Sequence, residues 1–296
     1  MNAKNIVIAV LALTLIGAVG YMLLQSNNAT VIVQEAPTNT NEDVMPVEPD
    51  GGMGDGAEPL PEDIDGRDDQ TVIGTSIAGA DLTAYHFGSG EKEILLIGGI
   101  HGSYSANTSK LGNELVSYFK ENESTIPENL MVTVIPNLNP DGLATGGTEG
   151  RFNGNNVDLN RNFDCEWSES AVWQSQSVSG GSAPFSEPEA AALRDYVQQY
   201  DPAAAVVWFS AEGKVYPSAC GGSPSNASAV LAATFASAAG YPTEAEFDAY
   251  AITGDMVNWM AKEGVSAISV LLSDHTSTEW SKNQAGVEAI IKMYAE

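Results

Sequence analysis

Several apolar runs in this sequence end in side chains able to bind a ligand or move a proton. Ile94–Ile100 leads into His101-Gly102-Ser103-Tyr104-Ser105, and Leu130–Ile135 into Asn137-Leu138-Asn139-Pro140-Asp141-Gly142. Arg151 and the run Asn156-Val157-Asp158-Leu159-Asn160-Arg161-Asn162-Phe163 come next. Phe209-Ser210 then follows Ala204–Trp208, and Leu271-Leu272-Ser273-Asp274-His275 follows Val265–Val270. Arginine offers a planar fork that matches a carboxylate, and asparagine can add an amide N–H beside it. An imidazole such as His101 can ligate a metal or exchange a proton. Ser103, Ser105 or Ser210 with His275 and Asp274 supply the residue types of a nucleophilic triad, although no G-x-S-x-G elbow is present. His101, Glu212 and Asp274 or His275 are the residue types of a metal set. Each also has a structural reading. His101 fits a hydrogen-bonded core histidine, Tyr250 a packed aromatic, His275 an exposed loop residue, and His86 an edge strand (LTAYHF).

The elements that must position these groups are legible in the hydropathy. Ile94–Ile100, Leu130–Pro136, Ala204–Phe209 and Val265–Leu272 are short continuous apolar runs, which predict buried strands. Helical apolar spacing predicts helices over Ser109–Lys120, Ser228–Ala239, Met256–Lys262 and Asn283–Tyr294. Ser186-Glu187-Pro188-Glu189 reads as a capping box opening a helix that reaches about Gln199. Helices alternating with buried strands imply an α/β domain whose mostly parallel sheet is covered on both faces. In such sheets ligands bind beyond the carboxyl ends of the strands, which is where the groups above fall.

Charge narrows the function. The 296-residue chain carries a formal −27, and residues 34–70 alone hold twelve acidic side chains against one base, Arg67. So acidic a chain is repelled by phosphate backbones, and nucleic acid is excluded as a partner. Residues 6–24 are nineteen uncharged positions preceded by Lys4, the length and flank of a transmembrane signal anchor with its N-terminus in the cytoplasm. Ala18-Val19-Gly20 resembles a small-residue cleavage site, so a secreted, cleaved product is the competing reading. The sequence therefore divides into an anchor (1–25), an acidic linker too polar to fold (26–70) and a globular domain (71–296), extracytoplasmic either way. In an exported chain Cys165 and Cys220 are expected to pair, closing a loop worth roughly 4 kcal/mol in the chain-entropy model. Two buried free thiols are the alternative.

The combination NPDG, Arg151 and NxVDLNRNF resembles the M14 (carboxypeptidase A-like) zinc metallocarboxypeptidases, in order, over roughly 71–296. The resemblance implies a twisted mixed sheet of about eight strands with helices on both faces. It also implies a zinc held by His, Glu and His beside a glutamate base. Residue by residue, His101 stands at the first ligand position. The carboxylate ligand would fall at Tyr104 or Ser105, the second histidine at Phe209 and the base at Leu271. None of these can ligate zinc as a carboxylate or imidazole, or act as that base. The substrate side is kept: Arg151 matches the carbonyl-polarising arginine, Asn160 and Arg161 the pair that grips a terminal carboxylate, and Tyr250 the closing tyrosine. Val257 falls where the family tunes side-chain preference, and Asn258 replaces the usual aspartate before Trp259.

The expectation is a catalytically impaired, membrane-anchored member that needs no cofactor and binds the C-termini of peptides or of peptidoglycan stem peptides. One alternative is an active zinc enzyme with a non-standard site. Another is a structural or partner-docking envelope domain.

Overall fold

A computed structural model describes residues 67–296. The apolar run at 6–24 and nearly all of the acidic linker lie outside the described residues. Within the described residues no helix is long and apolar enough to cross a membrane.

Among the described residues nine strands form, seven of them in one sheet ordered β1-β2-β4-β3-β7-β9-β8. They are β1 (Gln70–Thr75), β2 (Asp81–Phe87), β3 (Lys92–Ile97), β4 (Leu130–Ile135), β7 (Ala204–Ser210), β8 (Lys214–Pro217) and β9 (Ser266–Leu272). The four central strands β4, β3, β7 and β9 run parallel, while β1, β2 and β8 add antiparallel edges. The expected mixed sheet of about eight mostly parallel strands is thus present, with seven strands among the described residues. A separate two-stranded hairpin, β5 (Ser170–Trp173) with β6 (Gln176–Ser179), makes up the remainder. His86 is not on an edge as expected. β1 pairs outside β2, and His86 is buried with its ring nitrogens near Thr133 and Thr71.

The parallel strands alternate their side chains between two cores, as strand geometry requires. Ile94, Leu96, Val206, Trp208 and Ile268 face one core with α1 (Ala106–Asn122), α4 (Asn226–Ala239) and α6 (Trp280–Ala295). Leu95, Ile97, Val207, Phe209 and Ala267 face the other, with α3 (Pro188–Tyr200) and α5 (Met256–Lys262). Between β4 and the hairpin lie the short helix α2 (Pro140–Thr145) and two single 3-10 turns, Thr148–Arg151 and Leu159–Arg161. The capping box does not form at α3. The helix starts one residue later, with Glu187 at the N-cap and no side-chain cap. Asn162 has taken the groups involved: it donates to Ser186 Oγ (3.0 Å) and accepts from Glu187 N (3.0 Å).

Candidate functional site

His101 follows β3 through Gly98 and Gly99, and a 3-10 turn at Gly102–Ser105 carries the chain into α1. That turn packs against the Arg151 turn only because Gly102 has φ +42 and no side chain. A Cβ there would lie 2.4 Å from the Gly150 carbonyl oxygen. This close approach brings Arg151 beside His101.

Asp158 is the centre of the arrangement. Its Oδ2 accepts from Arg151 Nε at 2.9 Å and Nη2 at 2.8 Å, a two-pronged pair with both side chains buried. Its Oδ1 accepts from Asn160 N at 3.2 Å and lies 3.5 Å from His101 Nε2. Burial pushes the Asp158 carboxyl up, but Arg151, then the His101 contact and Arg161, outweigh it and hold it far below the usual range. At 3.5 Å the His101 contact is too long for a formed hydrogen bond, so both ring nitrogens are buried without a partner. The hydrogen-bonded core histidine expected at this position is therefore not what forms.

Burial first and Arg151 second lower the His101 imidazole from 6.5 to about 4, so it is neutral at pH 7. The folded value lies below the unfolded one, so between them the unfolded chain binds more protons. Stability should fall as pH drops from 6.5 towards 4, by up to roughly 3 kcal/mol. Urea titrations across that window should show the slope, and His101→Phe should flatten it. An unchanged slope in that variant would assign the effect elsewhere.

The positions that would complete a zinc site are apolar or packed. Phe209 and Leu271 are direct neighbours across β7 and β9. The Phe209 ring centroid lies 5.6 Å from that of His101. Tyr104 lies against His275 with ring centroids 4.6 Å apart and planes tilted by 60°, and meets Trp173 edge-on at 5.1 Å. Ser105 is buried with its hydroxyl unpartnered. Among the described residues no group of three His, Cys, Asp or Glu side chains can hold a metal. The donor set, one imidazole, does not fit zinc.

The other conceivable constellations do not assemble either. Ser210 Oγ donates to Asn107 Oδ1 (2.9 Å), and Ser103 Oγ to the Gly147 carbonyl (3.1 Å). Asp274 turns back to the backbone N–H groups of Thr276 and Ser277. Glu212 pairs with Lys214 at 3.3 Å. Neither a serine triad nor a displaced metal set is formed.

The residues that the resemblance matches to a carboxylate clamp, Asn160, Arg161 and Tyr250, do lie together. Asn160 Oδ1 accepts from Met256 N (3.1 Å), and its Nδ2 donates to Asp255 Oδ2 (2.8 Å). Asp255 also caps α5 through Asn258 N (2.8 Å). Burial raises the Asp255 carboxyl, against the opposing effects of the Asn258 amide and Arg161. Arg161 lies with its Cζ 5.9 Å from the Tyr250 ring centroid. Its acceptors are main-chain carbonyls: Val172 O for Nε and Nη2 (both 3.1 Å) and Asn160 O for Nη1 (2.6 Å). Burial raises the Tyr250 phenol, with Arg161 and Arg151 opposing. Val257 is buried in the core beside this group, and Asn258 Oδ1 accepts from Ala219 N (3.1 Å).

Three participants were not assigned a role from the sequence: Asp158, Asp255 and Trp173. Asp158 sits inside the quoted VDLNRNF run, so its signal was present. Trp173 had only a weak alternation, Ala171 and Trp173 inward with Ser170 and Val172 outward, to mark its strand. Cys165 and Cys220 are joined in a disulfide with Cα atoms 5.7 Å apart.

A model of the zinc carboxypeptidase family (peptidase M14) matches residues 68–294. Bacteriocin BCN5 of Clostridium perfringens is 34% identical over 137 residues, 43% of this chain and 15% of that protein. Carboxypeptidase D of Anas platyrhynchos is 39% identical over 87 residues, 25% of this chain and 6% of that protein. The matched stretches thus span under a fifth of either relative. Among solved structures, murein-tripeptide amidase MpaA from Escherichia coli O157 superposes with a TM-score of 0.56 at 21% identity, covering 81% of this chain and 97% of that one. Bovine thrombin-activatable fibrinolysis inhibitor, solved with a tick carboxypeptidase inhibitor, gives 0.63 at 19% identity, covering 76% and 88%. At these identities the structural likeness establishes the fold.

Proposed function

This chain belongs to the zinc carboxypeptidase family, and we propose that within it the domain binds peptide C-termini without hydrolysing them. What carries the reading is one contrast. The positions for the second histidine and the base are Phe209 and Leu271, side by side on adjacent strands, while Arg151, Asn160, Arg161 and Tyr250 are gathered in one place. A guanidinium fork flanked by an amide and a phenol suits a terminal carboxylate. The fold neighbour named as a murein-tripeptide amidase makes peptidoglycan stem peptides a ligand class to test beside protein C-termini. The apolar run at 6–24 supports placing the domain outside the cytoplasm, tethered to the membrane.

Titration of an acylated peptide with a free carboxylate, against its C-terminal amide, tests the reading. Binding should require the carboxylate, and Arg161→Ala should weaken it about tenfold to a hundredfold, as expected for a charge-assisted hydrogen bond. Equal affinity in Arg161→Ala would remove the binding role. Elemental mass spectrometry after zinc reconstitution should find below about one-tenth of an equivalent, because three protein ligands are the usual minimum. One tightly held equivalent, lost in His101→Ala, would instead favour an active enzyme.

A further inference from the structure

Both arginines of the clamp are covered by the chain itself. Arg151 is 3% exposed and Arg161 1%. The cover is the β5–β6 hairpin. Its Val172 carbonyl accepts from two nitrogens of the Arg161 guanidinium, and its Trp173 ring lies 4.5 Å from Arg151 Cζ. Ala171, Trp173 and Val178 form the inward face, which packs on Tyr104, Phe152 and Tyr250. One short hairpin therefore occupies both cationic groups, one with an oxygen lone pair and one with a π face.

We propose that this hairpin is an autoinhibitory strap, and that a ligand carboxylate enters by displacing the Val172 carbonyl from Arg161 as Trp173 swings off Arg151. The inference rests on the C-terminus-binding reading above and concerns how that site is controlled. Three features make the hairpin the part that moves. It is a two-stranded sheet of its own, outside the seven-stranded one, and such hairpins are marginal without added packing. Besides the Val172 carbonyl on Arg161, its main-chain tie to the body is Asp158 N donating to Ser179 O (3.0 Å) at its foot, where Gly180 N closes the hairpin's own base on Glu169 O (2.8 Å). Gly180 and Gly181 close that end, and Gly181 takes φ +86, a conformation that glycine adopts without strain. A carboxylate is also a stronger acceptor for a guanidinium than a neutral carbonyl, so the exchange runs towards ligand.

The full-length chain in detergent provides the test, with acetyl-Gly-Gly-Phe and its C-terminal amide as probes. In the wild-type chain, saturating carboxylate probe should speed hydrogen exchange at the amides of 170–179, and the amide probe should not. Trp173→Ala should bind the carboxylate probe about tenfold more tightly, reflecting the lost cation–π cover. Suppose binding depends on the carboxylate and on Arg161, yet hairpin exchange is unchanged or slowed. The strap is then wrong while the binding role stands. If neither wild type nor Trp173→Ala distinguishes the two probes, both are wrong. Because the exchange measurement needs no substitution, a misfolded Trp173→Ala would not shield the proposal.

Discussion

Asp158→Ala is expected to destabilise the domain by about 3–5 kcal/mol, the range for removing one partner from a buried ion pair. The carboxylate is fully buried and takes both prongs of Arg151. Without it the Arg151 cation stays buried, Asn160 N loses its acceptor, and His101 loses its nearest polar neighbour. Asp158→Asn keeps the shape and one acceptor, so its loss should be smaller. Thermal or urea unfolding of the two variants measures the difference. Near-equal stability of Asp158→Ala and wild type would mean the pair contributes little beyond its desolvation penalty. Peptide binding should fall with it, because the same carboxylate fixes the Arg151 fork.

Gly254→Ala should be comparably damaging, at about 3–4 kcal/mol. Gly254 has φ +65, where a Cβ is strained, and that Cβ would lie 2.1 Å from the Arg161 carbonyl oxygen. The residue is also stitched into the Arg161 segment by its own backbone. Its N–H donates to Cys165 O (2.7 Å), and its carbonyl accepts from Phe163 N (3.0 Å). An added methyl group must therefore push the Tyr250 segment away from Asn160 and Arg161, separating the halves of the clamp. Unfolding measurements give the stability term. A crystal structure of the variant with an undisturbed 160–165 backbone would contradict this account.

The legible parts of this molecule were those whose signal is local and dense. Val206, Val207 and Trp208 sit in a run that can only be buried, and the four parallel strands were found that way. Asn160 and Arg161 were found because NPDG, Arg151 and NxVDLNRNF, taken in order, resemble the M14 family. The hairpin was missed because Ser170–Ser179 is rich in serine and glutamine, and its three inward side chains are buried by Tyr104, Phe152 and Tyr250, distant in sequence, with Arg151 against Trp173. The capping box misled because Asn162, twenty-four residues earlier, competes for Ser186. His86 was placed on an edge because β1, six residues with no fully buried side chain, gives little apolar signal of its own. In each case a partner remote in sequence decided the outcome.

The disulfide carries a consequence for biogenesis. Cys165 provides the carbonyl that holds Gly254, and its sulfur ties the same segment to the loop at Cys220. In a chain made under reducing conditions the loss of this link would remove roughly 4 kcal/mol in the chain-entropy model and untie the segment that holds Gly254 from the Cys220 loop. Its clamp would be left slack. On the proposed extracytoplasmic placement, competence to bind would then be acquired only in an oxidising compartment.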